Sequence, residues 1–291
     1  MHRFRLPGTF LLSCAALVLS GRAAGLEIDF VTASPAIYAE PHDIVLAPDG
    51  RSLFVADNGN DRVAVLDPWS LEYKGELGSG ELGAPHDVAF DADGRLLVAD
   101  TDNSRIAIYE VEGTAPALVA ELRGSIRRPE GVTAHPNGRI YATGASSGNI
   151  EGFLDGMPTV AADGLSAPHD VMVAHDGTLW VADAGNNRLV NFTEDLEVAR
   201  VIGGPEHGLN GPRYLDTDNA GRLYIADKYN HRVQVLTPEG ELLLSVGTGR
   251  AGLGAGRFDR PEGIAIRGCD AWFADTYNDR VVRYRMAGEC G

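Results

Sequence analysis

Of 291 residues, 41 are Asp or Glu and 25 are Lys or Arg, for a formal charge of −16, and 44% are hydrophobic. An apolar fraction near the globular mean excludes a disordered chain, and the acidity excludes a general binder of phosphate backbones, so no nucleic-acid partner is expected. The 36 Gly and 15 Pro imply many turns, and hence many short strands.

The chain opens like an export signal. Residues 1–8 carry Arg3 and Arg5 without an acid, Thr9–Ser20 is an apolar run of 12 residues, and small residues surround Arg22 up to Gly25. That order predicts a signal peptide over 1–25, cleaved after Ala23 or Gly25, and a secreted or periplasmic product. The run is shorter than the roughly 20 residues of a membrane helix, so no membrane span is expected. Cys14 behind Leu11-Leu12-Ser13 faintly resembles a lipobox, but plain export is the preferred reading. Cleavage would take the formal charge from −16 to −19.

Residues 26–291 read as one domain. Leu26–Val31 alternates like a strand, and six repeats follow, led by Pro41, Pro85, Pro129, Pro168, Pro212 and Pro261, about 44 residues apart. Each repeat runs from its Pro through a short strand to a second strand ending in Asp (Leu53–Asp57 in the first), then to an Asn-x-Arg hairpin (Asn60, Arg62). The third repeat is degenerate, with Thr143 in place of Asp and no Arg. Four strands per unit and six units predict an all-β fold, a six-bladed β-propeller. The sixth unit lacks a fourth strand of its own, so the N-terminal strand should complete the last blade and close the ring.

Features common to nearly all blades are read as scaffold. The Asp should pair with the Arg across the hairpin, and the Asn should occupy a left-handed turn. Gly247–Gly252 imitates a dinucleotide-binding loop but precedes no helix, and Asp216–Gly221 begins like a calcium loop without its distal Glu. Both read as connections. Asn191-Phe-Thr193 is a glycosylation sequon if the host modifies exported proteins. Cys269 and Cys290 should form a disulfide across the seam of the ring.

The informative column follows each leading Pro. It holds His42, His86, Glu130, His169, Arg213 and Glu262, and behind these stand Asp43, Asp87, Gly131, Asp170, Tyr214 and Gly263. In a propeller this column rims the central channel. Three imidazoles converging there suit a divalent metal, zinc first and calcium second, with a position left for water or substrate. Neighbouring carboxylates could orient the imidazoles or act as bases. The competing reading is a non-catalytic secreted scaffold that binds a protein or cell-surface ligand on its rim. Either way a monomer is expected.

The repeats resemble the NHL family, whose units carry a Pro-x-Gly-Val-Ala start and an Asp-x-x-Asn-x-Arg-Val hairpin, over roughly residues 26–286. The Pro-His-Asp triplets resemble those of the peptidyl-α-hydroxyglycine α-amidating lyases, six-bladed propellers holding zinc through three Pro-His positions. That resemblance implies release of glyoxylate from a hydroxyglycine-extended peptide, with His42, His86 and His169 as ligands and Asp170 as a catalytic partner. Lyase ligands alternate around the ring, whereas these three lie on blades one, two and four. The alternating set would be His86, His169 and Glu262. The lyase Tyr sits in an Asp-x-Tyr hairpin, found here at Tyr229 and Tyr277 rather than in blade three. Arg213 beside Tyr214 is the substitute expected for the assisting pair.

Overall fold

The computed structural model describes residues 26–111, 115–254 and 256–288. The signal segment, Cys14 and Cys290 therefore lie outside the described residues, and with them the signal-peptide and disulfide expectations. Six four-stranded antiparallel sheets stand around a central channel. Blade one shows the plan: Pro41–Leu46 innermost, then Leu53–Asp57, Arg62–Leu66 and Tyr73–Leu77 outermost. None of the described residues forms an α-helix; the short 3₁₀ turns sit in the hairpins after Asp57, Asp183, Asp227 and Asp275.

The ring closes as the sequence predicts. Glu27–Ala33 pairs antiparallel with Arg280–Ala287, from Glu27 opposite Ala287 to Ala33 opposite Val282, with one shift of register between Phe30 and Thr32. It thereby becomes the outer strand of the sheet holding Ile264–Arg267 and Asp270–Asp275. Leu26 and Ile28 drop into an apolar cluster with Phe258, Phe273, Val282 and Tyr284, shared with blade five residues such as Tyr224 and Val233. Similar clusters fill the other gaps between blades. Between blades six and one, Trp272 is fully buried against Leu53, Val55 and Leu66, and donates its indole N–H to Pro68 O at 2.7 Å. The second strand of each blade is buried on both faces, which accounts for unbroken apolar runs such as Leu96-Leu97-Val98-Ala99.

The hairpin residues are architectural. Arg62 Nε donates to Asp57 Oδ2 at 2.7 Å and Asn60 Nδ2 to the same oxygen at 2.9 Å, while Asp57 Oδ1 accepts the N–H of Ala39 in the incoming loop. The same set recurs at Asp100, Asp183, Asp227 and Asp275. One detail differs from expectation. The left-handed residue is the one after the Asn, namely Asp61, Ser104, Asn187, His231 and Asp279, because the Asn side chain is committed to the Asp carboxylate. In blade three, Ser147 Oγ and Asn149 bond each other where the Asp–Arg pair is missing.

Two other motifs resolve as turns. Asp218 accepts the N–H groups of Ala220 and Arg222, and pairs with Arg222 Nε at 2.6 Å, which leaves the calcium-like loop a closed hairpin. Asn191 of the sequon is buried within Arg188–Phe192 and bonds Thr178 Oγ1 and Leu179 O, so the folded chain offers no amide for glycosylation there.

Candidate functional site at the channel mouth

In five blades the leading Pro opens the innermost strand, and in blade six Pro261 and Glu262 run into it, with Glu262 N bonded to Ala274 O, so the residue after each Pro points into the channel. His42, His86, Glu130, His169, Arg213 and Glu262 meet there, each less than a tenth exposed. They form a buried ionic cluster rather than a solvated rim. His169 Nε2 lies 2.7 Å from Glu130 Oε2, and His86 Nε2 lies 3.8 Å from Glu130 Oε1. Across the channel His42 Nδ1 stands 3.1 Å from Glu262 Oε2, and the same carboxylate receives Arg213 Nε at 3.8 Å and an ion pair from Lys228 Nζ. The His42 and His86 rings touch edge to face, with centroids 4.3 Å apart.

Three residues outside the expected column complete the cluster. Lys228 is buried and turns inward between the rings of Tyr229 and Tyr277, 5.6 and 5.4 Å from their centroids. Tyr229, half-exposed, accepts from Arg213 Nη2 at 3.4 Å. Thr101 Oγ1 sits 2.8 Å from His86 Nδ1. Lys228 and Thr101 occupy the position just after the hairpin Asp, which holds Asn58, Ala184 and Thr276 in other blades. That column also faces the channel, and its variation against an otherwise regular repeat was the available signal.

The electrostatics follow from burial and neighbours. Burial raises the carboxyl of Glu130, but the hydrogen bond from His169, with the adjacent His86 and the charge of Arg213, outweighs it and holds the group down at about 2. For Glu262 burial is likewise overcome, by His42, Lys228 and Arg213, leaving it well below the usual carboxylate range. Burial, with His42 adjacent, pushes His86 down to about 3, and burial also lowers His169. Both rings are therefore neutral at neutral pH.

Tyr214 and Asp170 stand apart from this cluster. Tyr214 is 1% exposed, not a rim aromatic, and spans the channel from blade five to donate to His86 O at 2.7 Å and Glu130 O at 3.1 Å. Burial, then the charges of Asp87 and Asp43, raise its hydroxyl well above the normal value, so it remains a neutral donor. Asp170 Oδ2 accepts the N–H of Leu215 in the next blade at 2.7 Å. Asp87 does the same for Val132 and Asp216 for Ile266. These carboxylates tie blade to blade and line a separate cavity of about 320 Å³ at the far end of the channel. Gly131 and Gly263 replace Asp where the next blade comes too close: a Cβ would lie 2.6 Å from His169 O and 2.3 Å from His42 O.

Residues 82–109 and 209–236, within blades two and five, match the NHL repeat family. The chain is a six-bladed β-propeller with NHL repeats in these two blades. Peptidyl-glycine alpha-amidating monooxygenase A of Xenopus laevis is 27% identical to this propeller over 179 residues, 54% of the chain and 19% of that protein. The Mus musculus enzyme is 24% identical over 181 residues, 54% and 18%. The chain spans about a fifth of the length of these curated relatives. Among solved structures, virginiamycin B lyase of Staphylococcus aureus, as a catalytically inactive histidine-to-alanine variant with quinupristin, has a TM-score of 0.65 at 15% identity, covering 89% of this chain and 99% of that one. An auxiliary nutrient binding protein of Bacteroides ovatus has a TM-score of 0.69 at 18% identity, covering 86% and 70%. At these identities the structures share the fold.

As the side chains stand, no three His, Cys, Asp or Glu of the propeller close around a metal ion among the described residues. The donor chemistry fits one on the blade-two to blade-four side only. His86 Nδ1 lies 2.9 Å from Ala84 O, Thr101 Oγ1 beside it gives its own hydrogen to Pro129 O, and the Asn58 amide at 3.1 Å has Pro85 O as its acceptor, so the ring proton is assigned to Nδ1. That leaves Nε2 as a bare acceptor facing a carboxylate oxygen, two acceptors with a cation-sized gap between them. Such second-sphere orientation of an imidazole is the arrangement of metal ligands. His169 differs. Arg213 Nη1 lies 3.1 Å from its Nδ1, so its proton is on Nε2, bonded to Glu130. To ligate, it must shift that proton to Nδ1, where Ala167 O waits at 3.2 Å. Glu262 fits poorly, because Lys228 and Arg213 already neutralise it.

Proposed function

We propose that this protein is a lyase acting on a peptidic substrate at the His–Glu end of its channel. The observation that carries the reading is the convergence of His86 Nε2 and His169 Nε2 on one buried carboxylate, Glu130, beside the Arg213–Tyr229 pair. The amidating monooxygenase relatives and the virginiamycin B lyase neighbour support it, since each name describes action on a peptide or a lyase on the same fold.

His86, His169 and Glu130 would hold a divalent metal, with His42 next to them. Zinc suits two imidazoles and a carboxylate, whereas calcium prefers oxygen ligands. When bound, such an ion polarises a substrate oxygen. The chain supplies the rest. Tyr229 is open enough to meet substrate and would relay one proton: its hydroxyl takes the proton of the carbinol hydroxyl as it passes its own to the departing amide nitrogen. The O–H pair becomes the glyoxylate C=O and the C–N pair stays on nitrogen, so the phenol ends neutral. Arg213 stabilises negative charge developing beside it. Tyr214 seals the channel beneath, which excludes water from below. Asp170 and Tyr214 act as positioning groups, through the strand that carries Arg213.

Metal analysis of the purified protein, with a glyoxylate-release assay on a hydroxyglycine-extended peptide, tests the reading. One bound transition metal and glyoxylate formation, both lost in His86→Ala and His169→Ala, are expected. A folded, metal-free protein that releases no glyoxylate overturns it in favour of the scaffold reading.

A further inference from the structure

A cavity of about 520 Å³ lies between blades four and five, at the ends of the innermost strands remote from His169. Its size is that of a small-molecule site. The walls contain a substitution that the repeat does not call for. On the third strand, the residue paired with the middle aromatic or Leu is Val65, Ile108 and Val235 in blades one, two and five, Gly152 in blade three and Arg283, paired with Asp270, in blade six, but Asn191 opposite Trp180 in blade four. A buried amide in place of an aliphatic side chain is costly unless its polar atoms are used.

Those atoms are half used. Asn191 is 7% exposed and gives its amide hydrogens to Thr178 Oγ1 and Leu179 O, at 2.8 and 3.4 Å, while its oxygen has no protein partner among the described residues. Trp180 is 6% exposed, and its indole N–H likewise makes no hydrogen bond among them, unlike that of Trp272. A donor and an acceptor on two largely buried side chains thus border one cavity, both without a protein partner among the described residues. Arg200 closes the wall, with its guanidinium 4.9 Å above the indole and Nη2 donating to Pro238 O at 2.8 Å. His175, fixed through Nε2 to Asp218 O at 2.8 Å, and Asn219 edge the opening.

The geometry points to a binding site for a neutral sugar. A hydroxyl both accepts and donates, and neighbouring hydroxyls satisfy an N–H and a C=O held side by side. The single Arg in the wall is already bonded to a carbonyl, and a chain of net charge −16 disfavours an anionic ligand. The site is on the opposite face from the His–Glu cluster and stands independently of the lyase reading.

The test uses the full chain labelled with ¹⁵N at its three Trp indoles. Trp180→Phe identifies the Trp180 signal, and the probes are cellobiose, maltose, lactose and chitobiose, with glucuronate as the anionic control. At least one disaccharide should move the Trp180 indole signal saturably and leave those of Trp69 and Trp272 in place. Asn219→Ala and Asn191→Ser should each weaken binding about tenfold, the loss of one good hydrogen bond. Asn219 is exposed, so its variant folds whatever happens to the other. If no disaccharide moves the signal at about ten times a millimolar Kd, or glucuronate moves it as well as the disaccharides do, or Asn219→Ala and Asn191→Ser both bind like the parent, the inference is overturned.

Discussion

Glu130→Gln separates the electrostatic role of the cluster from its shape. Gln keeps the volume and still accepts from His169 Nε2, but it lacks the charge that His169, His86 and Arg213 stabilise. The carboxyl of Glu130 is depressed from 4.5 to about 2, so the charged form is favoured in the folded state. Its stabilisation is fully present above the unfolded value and disappears as pH falls through the folded one. At roughly 1.4 kcal/mol per unit, the metal-free protein should lose about 3 kcal/mol at pH 7 on substitution, and only about 1 kcal/mol at pH 3. For a chain of this size that is on the order of 6 °C in Tm at neutral pH. Urea unfolding of both proteins in chelator at the two pH values measures the difference. An equal loss at pH 7 and pH 3 would refute the electrostatic account and leave only a packing defect.

Asp216 should behave with the opposite sign. Burial raises its carboxyl to about 7, so the folded state holds a proton that the unfolded chain has released, and this group's contribution falls as pH rises from about 4 to 7. Asp216→Asn should therefore raise Tm at pH 7.5 and leave it nearly unchanged at pH 4.5, as thermal melts will reveal. Ile28→Ala, which empties part of the cluster under the closing strand, should cost about 2–4 kcal/mol in urea unfolding; a cost under 1 would mean the ring holds without that strand. Tyr214→Phe leaves His86 O and Glu130 O without their donor and should cost about 1–3 kcal/mol, with a hydroxyglycine-lyase kcat reduced more than KM changes, because Tyr214 positions and does not bind substrate. Expression in a glycosylating host should add no glycan at Asn191, by intact mass.

The architecture was readable because each of its devices repeats. Five Asp–Asn–Arg hairpins and six leading prolines fix the blade register, and the missing fourth strand of the last unit assigns Glu27–Ala33 to it. The channel column was readable for the same reason, since a strand start after Pro has one orientation in every blade. What failed were inferences about single side chains. Tyr214 shares its register with Asp43 and Asp170, yet its length carries the hydroxyl across the channel to blades two and three, where the short carboxylates reach only the next strand. Lys228 was overlooked because a Lys in a hairpin is normally solvated. Only the surrounding Glu262, Tyr229 and Tyr277 make it an interior cation.

That divided register explains why one narrow channel can hold two incompatible chemistries. Along the innermost strands, the first residue after Pro builds a site of ionised Glu and Arg with the imidazoles, joined by Lys228 from a hairpin, and the second contributes three buried carboxyls. Burial and the charge of neighbouring carboxylates raise Asp43 and Asp170 well above their normal range, and burial raises Asp87 to about 6. Adjacent residues on one strand thus experience fields of opposite consequence a few ångströms apart. The Tyr214 hydroxyl lies at the boundary, neutral and bonded to backbone carbonyls on the far wall. Without it, water continuous between the two ends would screen both sets of charges and relax the pKa values toward ordinary ones. Tyr214→Ala should therefore move Glu130 up from about 2 and Asp87 down from about 6 together, in a ¹³C-carboxyl NMR titration. Movement of one without the other would mean that each end is set by its own neighbours alone.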